Sequence, residues 1–316
     1  MPLLRVDAED GRPVGADRSD AGPALVSALR DLPPDAPVMV MIHGYKYAPG
    51  VPGRCPHSSI LALAPSADRP RRCLSWPRAM GFTGTTASEG LCIAFGWRAT
   101  GTIWQAVRAA DRAAVALGAL IGRAGDSGNR PVHVLAHSLG ARVALGALPA
   151  IRRGAVGRMV LLHAAEFRSR ARAALDTPAG RTAEVVNVTT RENDLFDALL
   201  RGFVGPHRPF DPALSAGLGL RGPNWLDIRI DDPASREALG EMGFAIPRPE
   251  GRVCHWSAYM RAGMFDLHRA LLRAPERMPL PLLAARLPDG ARRGALEAAL
   301  ARLRPAPLSG PSGVPS

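Results

Sequence analysis

Short apolar runs of strand length recur along this chain, and helix-length amphipathic patterns separate them. Pro37–Ile42 (PVMVMI) is continuous rather than alternating, and Leu91–Trp97 (LCIAFGW), Pro131–Ala136 (PVHVLA), Arg158–His163 (RMVLLH), Glu184–Thr189 (EVVNVT) and Trp225–Ile230 (WLDIRI) read as further strands. A strand that is apolar on both sides must be covered on both sides, as in a parallel sheet. The intervening patterns, about Thr102–Ala124, Ser138–Ala150 and Ser257–Leu272, read as helices. Leu3–Asp7 reads as an edge strand. The order strand, helix, strand, helix implies an α/β fold with a mostly parallel central sheet and helices on both faces.

At 316 residues a sizeable core is within reach, and residues 1–303 are expected to form a single domain. Tyr47–Thr86 and Phe203–Pro223 interrupt the rhythm as irregular, Pro- and Gly-rich excursions. Gly290–Leu303 reads as a helix of no visible purpose. Residues 304–316 read as a disordered tail. The formal net charge is +12, carried almost wholly by arginine, because Lys46 is the only lysine. The arginines are scattered or in short pairs such as Arg71-Arg72, Arg152-Arg153 and Arg292-Arg293, which fits a compositional bias better than a nucleic-acid footprint. Cys55, Cys73, Cys92 and Cys254 form no CxxC pair and no zinc-type cluster with histidine, although Cys55 and Cys73 could pair under oxidising conditions. The N-terminus lacks a signal-like apolar region, and no apolar stretch is long enough to span a membrane. A cytoplasmic protein without a membrane span is the expectation.

The run PVHVLA stops at Ala136-His137-Ser138-Leu139-Gly140 and helical spacing resumes at once. A serine at such a junction sits on a sharp, strained turn with its hydroxyl above the sheet. The turn crowds the residues two before and two after it, which are Ala136 and Gly140. Helix N-terminal amides then face whatever the hydroxyl attacks. Upstream, the strand PVMVMI ends in His43-Gly44-Tyr45. These motifs resemble the α/β-hydrolase superfamily, in its bacterial esterase and lipase-like branch, over roughly Pro37–Leu272.

The resemblance implies a serine hydrolase of the α/β-hydrolase fold, with Ser138 as nucleophile. It also implies an oxyanion hole made by the backbone N–H groups of Tyr45 and Leu139. The family order is nucleophile, acid, histidine, with the histidine after the last strand. That position belongs to His255. Of the other seven histidines, His43 belongs to the oxyanion turn, and His133 and His163 lie within strands. His137 adjoins the serine but should point away. His57 and His207 lie in the irregular segments, and His268 on the late helix. For the acid, Asp194 follows the strand EVVNVT and opens a helix. Its bland alternative is an ordinary first-turn aspartate. Glu192 and Glu166 are rivals, Asp197 reads as a solvated helix residue, and Asp231 and Asp232 read as caps.

The expected reaction is two-step acyl transfer on a carboxyl or lipid ester, without a metal or organic cofactor. Amide or thioester hydrolysis uses the same groups and stays open. Lys46 and Tyr47 are candidate substrate contacts, the Tyr47–Thr86 excursion a candidate pocket rim, and Trp97 either a pocket wall or a packing residue. A different class of reading is a non-catalytic arginine-rich binding protein on the same scaffold. No nucleic acid is expected as a partner, and the oligomeric state is not readable.

Overall fold

The computed structural model describes residues 3–67, 73–128, 130–206, 208–219 and 222–288. In chain order its main elements are β1 (Leu3–Glu9), β2 (Arg12–Gly15), α1 (Ala21–Arg30), β3 (Val38–Ile42), the single turn α2 (Trp76–Ala79), β4 (Leu91–Trp97), α3 (Ile103–Ser127), β5 (Val132–His137) and α4 (Leu139–Ala147). They continue with β6 (Val156–Leu162), α5 (Arg168–Leu175), β7 (Glu184–Thr189), α6 (Asp194–Leu199), β8 (Trp225–Arg229), α7 (Pro233–Glu241), α8 (Ser257–Met260), α9 (Met264–Arg273) and α10 (Leu280–Arg286). The strands form one eight-stranded sheet in the order β2-β1-β4-β3-β5-β6-β7-β8. Every pairing is parallel except β1 with β2.

The continuous apolar runs are explained by the two-sided cover. Along β3, Val38, Val40 and Ile42 join the core that packs α1, α3 and α4, whereas Met39 and Met41 join the opposite core with α9. This is the period-two alternation of a pleated strand, with both phases apolar. The expected helix at Ser257–Leu272 is broken into α8 and α9. The break falls at Gly263, whose φ of 77° is left-handed and whose hypothetical Cβ would lie 2.5 Å from the Ala245 carbonyl oxygen. The expected edge strand at Leu3–Asp7 is not an edge. It lies between β2 and β4, because the unrecognised Arg12–Gly15 pairs on its outer side. The Tyr47–Thr86 excursion contributes to the core, where it buries Ile60, Leu61, Trp76 and Phe82. Residues 289–316, which include the expected helix Gly290–Leu303 and the expected tail, lie outside the described residues, as do Arg71, Arg72 and His207.

The strand order determines where a site can form. From β3 the chain moves outward to β4, then returns past β3 to β5 and proceeds the other way through β6, β7 and β8. The connections leaving β3 and β5 therefore diverge, which makes the carboxyl ends of those two neighbours the switch point of the sheet. Open parallel sheets bind ligands at such switch points. His43-Gly44 and Ser138 follow these two strands and meet at that point.

Entry into β4 gives a test of this frame. Gly90 has φ 88°, and a Cβ there would fall 2.1 Å from the Pro37 carbonyl oxygen, which accepts the Leu91 N–H. Gly90→Ala is expected to lower unfolding free energy by at least about 2 kcal/mol in urea titrations, because left-handed strain alone costs about 1–2 kcal/mol before the clash.

Candidate active site

Ser138 occupies the junction of β5 and α4 with φ 54° and ψ −124°, a conformation L-residues rarely adopt. Such strain costs roughly 1–3 kcal/mol and persists only where the surroundings over-determine it. Here the Ser138 N–H donates to the Leu162 carbonyl (2.9 Å), and its carbonyl accepts from Ala141 (3.0 Å) and Ala165 (3.1 Å). The small residues around it are required by contact. A Cβ on Gly140 would meet the Ile42 and His43 carbonyl oxygens at 2.7 Å, and one on Gly44 would meet the Ser138 Cβ at 2.8 Å. The turn after β3 therefore lies directly against the serine.

That turn is clamped from β4. The Trp97 backbone N–H donates to His43 Nε2 (3.1 Å) and its indole N–H to the His43 carbonyl (3.0 Å), with the two rings stacked at 5.5 Å. Since Nε2 accepts, the His43 proton is on Nδ1, where it donates to the Gly44 carbonyl (2.8 Å). Burial holds the His43 imidazole neutral, with its pKa lowered to about 3. Trp97 is thus a packing residue that shapes the turn. Lys46 is exposed, and Tyr47 packs on the far core. At the other side of the serine, Leu139 opens α4, so its N–H has no acceptor within the helix.

His255 lies after β8, on the stretch before α8, and its Nε2 is 2.9 Å from Ser138 Oγ. A residue on an irregular segment needs anchors, and four converge. Cys254 donates its N–H to the Glu192 carbonyl (2.9 Å). The His255 carbonyl accepts from His137 Nε2 (2.9 Å) and His163 Nδ1 (3.0 Å). The Phe196 ring stacks on the imidazole at 4.4 Å. The His255 Nδ1 faces Asn193 Oδ1 at 2.6 Å. Its pKa is pushed well below the usual histidine value, chiefly by burial and then by the neighbouring His137 and His163.

The partner of His255 corrects the expectation placed on Asp194. Asp194 is exposed at the first position of α6, where an acidic side chain complements the helix N-terminus. Glu192 is buried and ion-paired with Arg261, which also donates to the Ile230 carbonyl (2.9 Å), so it ties α8 to the end of the sheet. Glu166 is 1% exposed and bound to Arg142 (3.1 Å) and Arg170 (3.2 Å). Asp197, expected to be solvated, is buried and accepts from Asn193 Nδ2 at 2.9 Å. Asp232 caps α7 rather than the strand before it, and Asp231 pairs with Arg229. The sequence signal for Asn193 and Asp197 was their i,i+4 spacing, which places both on one face of the turn that becomes α6.

Among the described residues, His137, His163 and His255 have ligand-type atoms within 4.8 Å of one another, a convergence that spacing along the chain does not reveal. Two of those rings use a nitrogen on the His255 carbonyl, which assigns them to holding the loop. His57 pairs with Asp7 (2.7 Å), His133 accepts from the Arg158 N–H (3.0 Å), and His268 Nε2 bonds the Ala258 carbonyl (2.7 Å). No disulfide joins Cys55 to Cys73. No described helix is long and apolar enough to cross a membrane.

The buried histidines yield a stability prediction. Burial lowers the pKa of His43 to about 3 and those of His133, His137 and His268 to about 4, against 6.5 for an exposed histidine. Between these values the unfolded chain binds protons that the folded chain does not, so stability is full above the unfolded pKa and falls as pH drops below it. Urea unfolding at about pH 5 should show a lower unfolding free energy than at about pH 7.5, by at most roughly 2 kcal/mol for each such histidine. The sequence matches no known family model and no curated protein.

Proposed function

We propose that this protein is a serine hydrolase of the α/β-hydrolase type that cleaves carboxyl esters through an acyl-enzyme intermediate. One observation carries the reading. Ser138, held with a left-handed φ on a strand-to-helix junction, has its hydroxyl 2.9 Å from the imidazole of a histidine placed after the last strand. Strain of this kind is retained where it serves a purpose, and nucleophile-to-base contact is the mark of an activated serine.

In the proposed reaction Ser138 Oγ attacks the ester carbonyl carbon while His255 Nε2 takes the hydroxyl proton. The backbone N–H groups of Leu139 and Tyr45 receive the oxyanion, a contribution of several kcal/mol for two aligned donors. Collapse expels the alkoxide, which leaves as an alcohol with the proton from His255. Water then attacks the acyl-enzyme with His255 as base, and the carboxylic acid departs. Asn193 takes the place of the orienting carboxylate, as asparagine does beside the histidine of papain-like enzymes.

An apolar substrate class is supported by the surroundings. Phe196 covers His255, and Leu195 and Leu199 of the same helix, Phe203 shortly after it and Trp104 are exposed. Trp104 donates its indole N–H to the Phe203 carbonyl (2.6 Å) and meets its ring edge-on. Tyr45 of the oxyanion turn bonds the Gly101 carbonyl (2.5 Å), next to the start of α3. Exposed apolar side chains thus lie on the helix that carries Phe196 and on the segment after it, which suits an acyl chain or lipid ester.

A fluorophosphonate probe should label wild-type protein at one site and fail on Ser138→Ala. Failure to label folded wild type sinks the proposal. The low pKa of His255 keeps its base form available in mild acid, so the acid limb of kcat/KM should fall below the ordinary histidine value of about 6.5. Asp194→Asn and Glu166→Gln should leave turnover of the folded protein nearly unchanged, the latter with a lower thermal midpoint. Loss of turnover in Asp194→Asn would reinstate Asp194.

A further inference from the structure

An asparagine beside the base poses a problem that a carboxylate does not. A carboxylate presents only acceptors to the imidazole. An amide presents a carbonyl on one side and an NH2 on the other. If the NH2 faced His255 Nδ1, that nitrogen would have to be the unprotonated one, and the proton would sit on Nε2. His255 could then no longer take the Ser138 proton. Exchanging aspartate for asparagine in a Ser-His-Asp triad enforces that wrong tautomer and costs on the order of 10⁴ in kcat.

The network here has one consistent ordering. Asp197 Oδ1 lies 2.9 Å from Asn193 Nδ2, and Asn193 and Asp197 are 1% and 8% exposed. A carboxylate can only accept, so the Asn193 NH2 must point to Asp197 and its carbonyl to His255. Its Oδ1, 2.6 Å from His255 Nδ1, then requires the proton on Nδ1. Nε2 is left as an acceptor toward Ser138 Oγ at 2.9 Å. Both polar side chains are largely withdrawn from solvent.

We propose that Asp197 is a positioning residue for this site, which fixes the orientation of the Asn193 amide and through it the working tautomer of His255. This rests on the reading of Ser138 and His255 as nucleophile and base. It gives Asp197 a role without contact to substrate. It also accounts for a neutral amide where a carboxylate is expected: the charge is present one residue further back, and its one-way acceptance is relayed through the amide.

The test is Asp197→Asn, which keeps the shape but lets either end of the new amide face Asn193. The assay follows p-nitrophenyl butyrate hydrolysis, thermal unfolding, and the ¹⁵N spectrum of histidine-labelled protein. The expected result is an unchanged thermal midpoint, kcat lower by about tenfold or more, KM little changed, and a new Nε2–H population for His255. The exchange variant N193D/D197N places an obligate acceptor directly on His255, and it should recover much of the kcat lost in D197N. Wild-type kcat together with an unshifted tautomer in D197N overturns the proposal. So does a loss in D197N that the exchange fails to recover. Failure of wild type to react with a fluorophosphonate would instead strike the nucleophile reading, and the tautomer spectrum would still judge Asp197.

Discussion

The strained turn at Ser138 is the constraint on which the rest of the site depends. A left-handed serine between a buried strand and a helix is unfavourable locally, so its neighbours must hold it. They do so by backbone bonds to Leu162, Ala141 and Ala165, and by the close approach of Gly44 and Gly140. The same contacts bring the turn after β3 against the serine, which sets the proposed oxyanion donors beside the hydroxyl. Because both turns follow strands at the point where the sheet reverses its winding, the rigidity of the sheet is passed to the site.

The histidine side is built differently. His255 lies outside regular structure and is held through its own peptide as much as through its ring. Two buried histidines, His137 and His163, satisfy its carbonyl, and Glu192 holds the preceding residue through its carbonyl and α8 through Arg261. Groups with acid-base chemistry of their own are thereby used as scaffolding. The low pKa of His137 follows from burial, and its neutral imidazole can still donate from Nε2 to the His255 carbonyl.

Glu192, Asn193 and Asp194 are three consecutive polar residues, of which Asn193 and not Asp194 meets His255. On a tight turn successive side chains rotate by about 120°, so one faces Arg261, one faces His255 and one faces solvent. Residue chemistry favours a carboxylate as partner of a histidine, and two carboxylates flank the amide. Only the packing of the His255 segment against this turn decides which of the three it meets. Asp197 departs from expectation in a related way, since an aspartate on a short helix is ordinarily solvated, whereas this one is buried against Asn193.

The amino-acid sequence by itself determined the strand and helix alternation, the mostly parallel sheet, the junction at Ser138 and the late histidine. Each of these is written in local pattern: runs apolar on both phases, small residues around a turn, a histidine ahead of a helix. Tertiary structure alone decided that Leu3–Glu9 lies inside the sheet, that Trp97 clamps His43, that three histidines converge, and that Asn193 backed by Asp197 faces His255. These are contacts between segments far apart in the chain or choices among adjacent side chains on a turn. The physical reason is the same in both cases: a side chain's partner is set by the direction it leaves the backbone and by what packs there, and neither is a property of the residue alone.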